Sequence, residues 1–186
     1  MKILLLASTL MVGQYMFAGD EAMFDAYVMR EAHHSGVTVS QVFRLWNVES
    51  GRMLDDTPNG KRGEIGRAQI MLSTARDYDR TVTARRLHGK WVNTRVLFQH
   101  LRSLRQQLRD VGVPDSLLPL FIFSAYNRGI AKVLKDWKRN HRGWNAYGKQ
   151  VAGVQPRVIS LLNSTESETR GCWGSTPAIR CGVPDT

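Results

Sequence analysis

The apolar positions of this chain recur at helical spacing almost throughout, and no alternating run long enough for a strand interrupts them. After an N-terminal apolar stretch, Phe24, Tyr27, Val28 and Glu31 predict a first helix, capped by Asp20 and closed near Gly36. A second opens at "TVSQ": Thr38 and Gln41 have the spacing of a capping box, Val37 and Val42 that of a hydrophobic staple, and Gly51 is placed to end it. Residues 52–66, "RMLDDTPNGKRGEIG", carry the Gly, Asp, Asn and Pro of a long loop. A third helix begins at Ser73 or Thr74 and runs through the Asp77 region. A fourth follows Asn93 or Thr94, with Leu97, Leu101, Leu104, Leu108 and Val111 as a core-facing stripe and Gly112 as its stop. "PDSLLPLFIFSAYNRG", residues 114–129, is apolar nearly all round and predicts a buried central helix, with Pro119 confined to its first turn. Further helices are expected over 130–137 and 147–162. From Ser164 the periodicity gives way to Ser, Thr, Gly and Pro. The fold class is mostly α, one domain over residues 19–163 with a short irregular tail over 164–186.

The chain opens with Lys2, an apolar run over residues 3–12 and a small residue at Ala18, the order of a secretory signal peptide over residues 1–18. About ten apolar residues are too few to span a bilayer, and no cysteine follows them to carry a lipid. The expectation is export, to the periplasm or beyond the cell, with no stable membrane span after the signal is removed. Cys172 and Cys181 then meet an oxidising compartment, where a small-loop disulfide is expected. No set of closely spaced Cys or His predicts a zinc site, and adjacent His33 and His34 fall on different faces of a helix end. No metal or cofactor is expected.

The formal charge is +10, or +9 without Lys2. A basic exported protein seeks an acidic partner, and charge alone admits nucleic acid, anionic lipid and wall polymer alike. The basic residues are scattered over several helices, which marks a solvated cationic surface.

One position breaks the apolar pattern. In "VFRLWNVESG", residues 42–51, Glu49 shares a helical sector with Val42, Leu45 and Trp46. A carboxylate walled by apolar groups loses hydration, which raises its pKa toward the protonated form that a general acid requires. A glutamate in the last turn of a helix is more often half-exposed and inert, so this feature alone leaves both readings open.

Three further pieces follow in order. After Glu49-Ser50 come Gly63-x-x-Gly66-x-x-Gln69, within "GEIGRAQIMLSTA", and then Ala125-Tyr126-Asn127-x-Gly129. With these motifs the chain resembles the lytic transglycosylases with an SLT domain, relatives of goose-type lysozyme in the lysozyme-like fold, from about residue 26 to 151. The resemblance implies a lysozyme-like domain with a cleft, and cleavage of the β-1,4 bond between N-acetylmuramic acid and N-acetylglucosamine in peptidoglycan. It makes Glu49 the single catalytic acid/base and Ser50 a hydrogen-bonding partner of the site. Gly63 and Gly66 let the loop backbone approach the sugar, Gln69 supplies an amide to the cleft, and Tyr126 and Asn127 face the glutamate from the buried helix. The chain departs from the family at Arg67 and Ala68, where bulky apolar residues are usual, which implies a smaller and more cationic cleft wall. It departs again at Arg128, where a small residue is common.

Two alternatives stand beside this reading. A hydrolytic muramidase would need a second carboxylate or an ordered water, and Asp55, Asp56, Glu64, Asp77 and Asp79 are the candidates. A non-catalytic cationic protein that binds wall polymer or nucleic acid explains the charge and the export but not the ordered motifs, and a nucleic-acid partner is not expected. A small enzyme without recognisable wall-anchoring modules suits a local task, such as opening the wall for a secretion, conjugation or phage apparatus, with the tail as docking element.

Overall fold

The computed structural model describes residues 2–51 and 59–154, with side chains described from Gly19 onward. Residues 1–153 form one compact unit. The second unit, 154–186, lies outside the described residues apart from Val154, and with it the predicted tail, Cys172 and Cys181. Among the described residues there are eight α-helices and no strand: α1 (Lys2–Ser35), α2 (Val39–Ser50), α3 (Leu72–Tyr78), α4 (Ala84–His88), α5 (Lys90–Asp110), α6 (Leu118–Arg128), α7 (Ile130–Asn140) and α8 (Ala146–Ala152). The mostly α class predicted from the apolar spacing is the one observed. No helix among these residues is long and apolar enough to cross a membrane.

α6 is the centre of the unit. Leu118, Leu120, Phe121, Ile122, Phe123, Ser124 and Ala125 are all buried, as its all-round apolar pattern requires, and Pro119 sits in its first turn, where a missing N–H costs nothing. α5 lays the stripe Leu97, Leu101, Leu104 and Leu108 against it, each almost fully buried. Val111 is only half-buried, and as the C-cap it accepts the Trp137 indole N–H at 3.0 Å.

α2 begins and ends as its sequence dictates. Thr38 Oγ1 accepts from the Gln41 N–H at 3.2 Å, and the Gln41 side chain accepts the Thr38 N–H at 2.9 Å, closing the capping box. Gly51 ends the helix in the left-handed region at φ 68°, a conformation glycine adopts without strain.

Three boundaries and one whole helix stand apart from the pattern-based expectation. α1 runs unbroken through Asp20, whose carboxylate pairs with Lys90 at 2.6 Å and accepts from the Trp91 indole at 3.2 Å, so its side chain serves a tertiary contact in place of a cap. α4 was not expected: it is a single turn opened by Thr83 Oγ1, which accepts from the Arg86 N–H, and it is too short to show periodicity. α5 starts before Asn93 and Thr94, which are fully buried inside it and do not cap its start. α8 stops at Ala152, not near residue 162. Gly153 turns left-handed at φ 70°, and the Arg44 guanidinium that covers it donates from Nε to the Val151 carbonyl at 3.1 Å, satisfying a helix-end acceptor.

Between α2 and α3, the described part of the loop is ordered around Asn93. Its Oδ1 accepts from the Ala68 N–H at 3.0 Å, and its Nδ2 donates to the Ile65 and Leu87 carbonyls at 2.9 and 3.0 Å. Ile65 and Ile70 exchange backbone hydrogen bonds at 3.0 Å in an isolated antiparallel bridge, with both side chains buried. Gly66 turns at φ 71°, and a Cβ there would stand 2.6 Å from Asn93 Nδ2, so the position demands glycine twice over.

α8 lies on α6 at backbone distance. A Cβ added to Gly148 would overlap Ser124 Oγ and stand 2.7 Å from the Leu120 carbonyl oxygen and 3.0 Å from Ser124 N. Two of these atoms are backbone and cannot rotate away. Gly148→Ala is therefore expected to destabilise the protein by about 1–3 kcal/mol, read as a lower urea midpoint at unchanged m-value; an unchanged midpoint would refute the close seating.

Candidate active site

Glu49 stands in the last turn of α2, at the C-terminal end of the face whose Val42, Leu45 and Trp46 are almost fully buried. Its carboxyl is half-buried and lines a cavity of about 370 Å³. The same cavity is lined by Arg62 and Glu64 from the loop, Gln69 and Met71 from the bridge region, and Tyr126, Asn127, Arg128 and Gly129 from the end of α6. Four residues that the motifs singled out, Glu49, Gln69, Tyr126 and Asn127, thus converge from three segments distant in sequence.

Burial raises the Glu49 pKa above the ordinary value of 4.5. The Tyr147 hydroxyl donates to Glu49 Oε1 and acts in the opposite sense, by favouring the carboxylate. The negative charge of Glu64 adds to the rise, and the Arg62 guanidinium offsets part of it. The Tyr147 phenol is itself pushed far upward, first by burial and then by the neighbouring Glu49 charge, and so remains a donor. Its position on α8 follows from Asn145, whose Oδ1 caps the helix through the Gly148 N–H at 2.8 Å and whose backbone N–H donates to Ser124 Oγ at 3.1 Å.

Tyr147 is the site residue that the sequence reading placed in a helix without assigning it a role. A phenol one position before a glycine that must lie against a buried helix was the available signal, but the pairing with Glu49 spans 98 positions and no local pattern records it.

The remaining predicted residues are held as follows. The Tyr126 hydroxyl donates to the Ala68 carbonyl, tying α6 to the bridge region, and burial raises its pKa. The Tyr126 ring lies 5.6 Å from that of His100, which shares a 2.9 Å hydrogen bond with the Tyr78 hydroxyl and which burial lowers to about 4, so it is neutral at pH 7. Asn127 Oδ1 accepts from Asn145 Nδ2 at 2.9 Å. Gln69 Nε2 donates to the Gly66 carbonyl at 2.8 Å, and its backbone holds φ 48°, the left-handed region that non-glycine residues seldom occupy.

Ser50 turns back along α2, its hydroxyl donating to the Trp46 carbonyl at 2.8 Å, and it does not line the cavity. Gly66 is buried against Asn93 and is likewise not part of the lining, whereas Gly63, at φ 87°, has open space around it. Nor do Arg67 and Ala68 form a wall. Ala68 is fully buried, and the Arg67 guanidinium covers the Phe24 and Trp46 rings at 5.2 and 5.0 Å from their centroids. The cations at the cavity are Arg62 and Arg128 instead. Arg128 is tethered, donating to Asp136 at 2.6 Å and to the Gly143 carbonyl at 3.1 Å.

Of the candidate second carboxylates, Glu64 alone lines the cavity, and Asp55 and Asp56 lie outside the described residues. The Arg62 backbone N–H and Nε donate to its two oxygens at 2.9 and 3.0 Å, and hydrogen bonds from the Glu64 and Arg62 backbone lower its pKa, keeping it charged. Asp79 is engaged by Arg95 at 2.8 Å and by Thr81. No group of three or more residues suited to hold a metal ion occurs among the described residues, and His33 and His34 are both exposed. No family model, curated protein or solved structure matches the chain.

The chemistry of this arrangement is that of one carboxyl, held toward its protonated form by burial, beside a phenol donor and a second, ionised carboxylate. Two measurements follow. Because the folded-state pKa of Glu49 lies above its unfolded value, its contribution to stability is complete below about pH 4.5 and is lost as pH rises through the raised value. Glu49→Gln is thus expected to melt at a higher temperature than the parent at pH 7 and to lose that advantage near about pH 4, in paired melting curves across pH. Tyr147→Phe removes a donor that favours the carboxylate, so the Glu49 pKa should rise further, followed by NMR of ¹³C-labelled glutamate; a fall would show that the phenol does not stabilise the charge.

Proposed function

We propose that this chain is a peptidoglycan lytic transglycosylase with a lysozyme-like domain, acting outside the cytoplasm on the bond between N-acetylmuramic acid and N-acetylglucosamine. The observation that carries the proposal is that, among the described residues, the one carboxyl held toward its protonated form by burial lies in the same cavity as Gln69, Tyr126 and Asn127. These are the partners that the resemblance assigns to it.

In this reading Glu49 starts protonated and gives its proton to the glycosidic oxygen as the C1–O bond breaks, while the muramyl N-acetyl group stabilises the cation forming at the anomeric carbon. The carboxylate left behind accepts the proton of the muramyl 6-hydroxyl, whose oxygen closes onto that carbon. The product is a 1,6-anhydro sugar, and Glu49 ends protonated, ready for the next turn. The Tyr147 bond assists the middle of the cycle, when Glu49 is charged. Asn127, its carbonyl oxygen engaged by Asn145, retains amide hydrogens for sugar oxygens, and Tyr126 fixes the floor through Ala68.

Glu64 favours a second reading. An ionised carboxylate in the same cavity as a carboxyl whose pKa burial raises is the pairing that hydrolytic glycosidases use, one as acid and the other on water or at the anomeric centre. That reading makes the chain a muramidase and ends in a reducing sugar.

The proposed setting is local wall opening for a secretion, conjugation or phage apparatus. Mass spectrometry of fragments released from purified peptidoglycan tests the chemistry. Anhydro ends are expected, each one water lighter than the hydrolytic product; reducing ends alone would replace the transglycosylase with the hydrolase. Glu49→Gln should lower the rate by at least about 10²–10⁴-fold, the usual contribution of a positioned acid/base, while leaving wall binding nearly intact. Undiminished lysis would remove Glu49 from the mechanism.

A further inference from the structure

The outer face of α7 has no part in the chemistry above. Val133 and Trp137 are buried on the inner face, the Trp137 ring lying edge-on to Phe121 at 5.2 Å. Lys132, Lys135, Lys138 and Arg139 are exposed, and the one acid of the helix, Asp136, is already paired with Arg128. The face therefore carries four positive charges within eight residues and no opposing carboxylate of its own helix.

It is more than a solvated rim. Ala131, Leu134, Lys135, Lys138 and Arg139 line an open recess of about 540 Å³, larger than the cavity at Glu49. Its floor is apolar, from an alanine methyl and a leucine, and its edges carry ammonium and guanidinium groups. That combination fits a short ligand with small apolar side chains flanked by carboxylates. A nucleic acid would call for stacking groups, and none of the five described lining residues is aromatic. A membrane would call for an exposed apolar stripe, and of the large apolar side chains of α7, Val133 and Trp137 are buried and Ile130 and Leu134 are partly covered.

The helix that carries the recess starts at the edge of the proposed site. Gly129 lines the Glu49 cavity and is at the same time the N-cap of α7, so the helix leaves directly from the cavity edge. The Arg128–Asp136 pair locks the first two turns of α7 to that edge.

We infer that the cationic outer face of α7 is a docking site for the acidic, alanine-containing stem peptides of the glycan strand held in the cavity. The inference rests on the proposed wall substrate. Alanine methyls lie on Ala131 and Leu134, and the peptide carboxylates meet Lys135, Lys138 and Arg139. Affinity at this face is electrostatic and falls with salt.

The test uses the full chain carrying Lys135→Gln, Lys138→Gln and Arg139→Gln together, three exposed changes distant from Glu49, with a melting curve to establish folding. On glycan strands stripped of peptide the variant should match the parent, whereas on peptide-bearing strands its KM should rise about tenfold at low salt, the size expected of three solvent-exposed ion pairs. Independently of any cleavage, an isolated L-alanyl–γ-D-glutamyl–diaminopimelyl–D-alanine peptide should shift the NMR amide signals of α7 in the parent and not in the variant. Loss of that shift response from the parent, or an equal effect of the substitutions on both glycan substrates, overturns the inference. So does a variant whose only defect is weaker binding to phosphatidylglycerol vesicles or to single-stranded DNA. If the parent cleaves neither glycan but the peptide still moves α7, the proposed activity fails and the docking site stands.

Discussion

The seating of α8 on α6 without an intervening side chain is the constraint from which the site follows. At Gly148 the two backbones approach too closely for even a methyl group, and Asn145 joins them by donating to Ser124 while capping α8. Only with α8 at this depth does Tyr147, one residue before the glycine, reach Glu49 on α2. Gln41 and Arg44 secure the other flank, donating to the Ala152 and Val151 carbonyls at 3.0 and 3.1 Å, so α2 and α8 are tied at three places. The carboxyl and its phenol are held by the packing of three helices.

A second hub serves the opposite wall. Asn93 satisfies three buried backbone groups at once, and the two-residue bridge at Ile65 and Ile70 closes the turn that carries Gln69. Buried polar groups of this kind are costly when unpaired, so this turn is specified as firmly as a strand pair would be. The left-handed backbone of Gln69 is the local strain that this support sustains.

Helix positions were legible in the sequence where an apolar stripe or a cap is local: the capping box of α2, the all-apolar α6 and the leucine face of α5 each follow from residues within one element. Boundaries failed where a tertiary contact took over, as when Asp20 pairs with Lys90 or Gly153 stops α8 beneath Arg44. Within the site, Glu49, Gln69, Tyr126 and Asn127 stood out because their unusual chemistry sits in compact motifs. Tyr147 did not, since its meaning depends wholly on which residue lies across the interface. Arg67 was read as part of a cleft wall because the resemblance puts wall residues just before Gln69; consecutive residues in a turn point apart, and the guanidinium lies on Phe24 and Trp46.

The bond between Tyr147 and Glu49 also joins the protonation of the carboxyl to the integrity of the fold. α8 is seven residues long and is the last helix among the described residues. Short elements can open locally at a free energy well below that of global unfolding. An excursion that lifts α8 removes the phenol, admits water to Glu49 and returns the carboxyl to ordinary acidity, while the α5–α6 core stays folded. Proton affinity at Glu49 is thus a local gauge of whether α8 is seated.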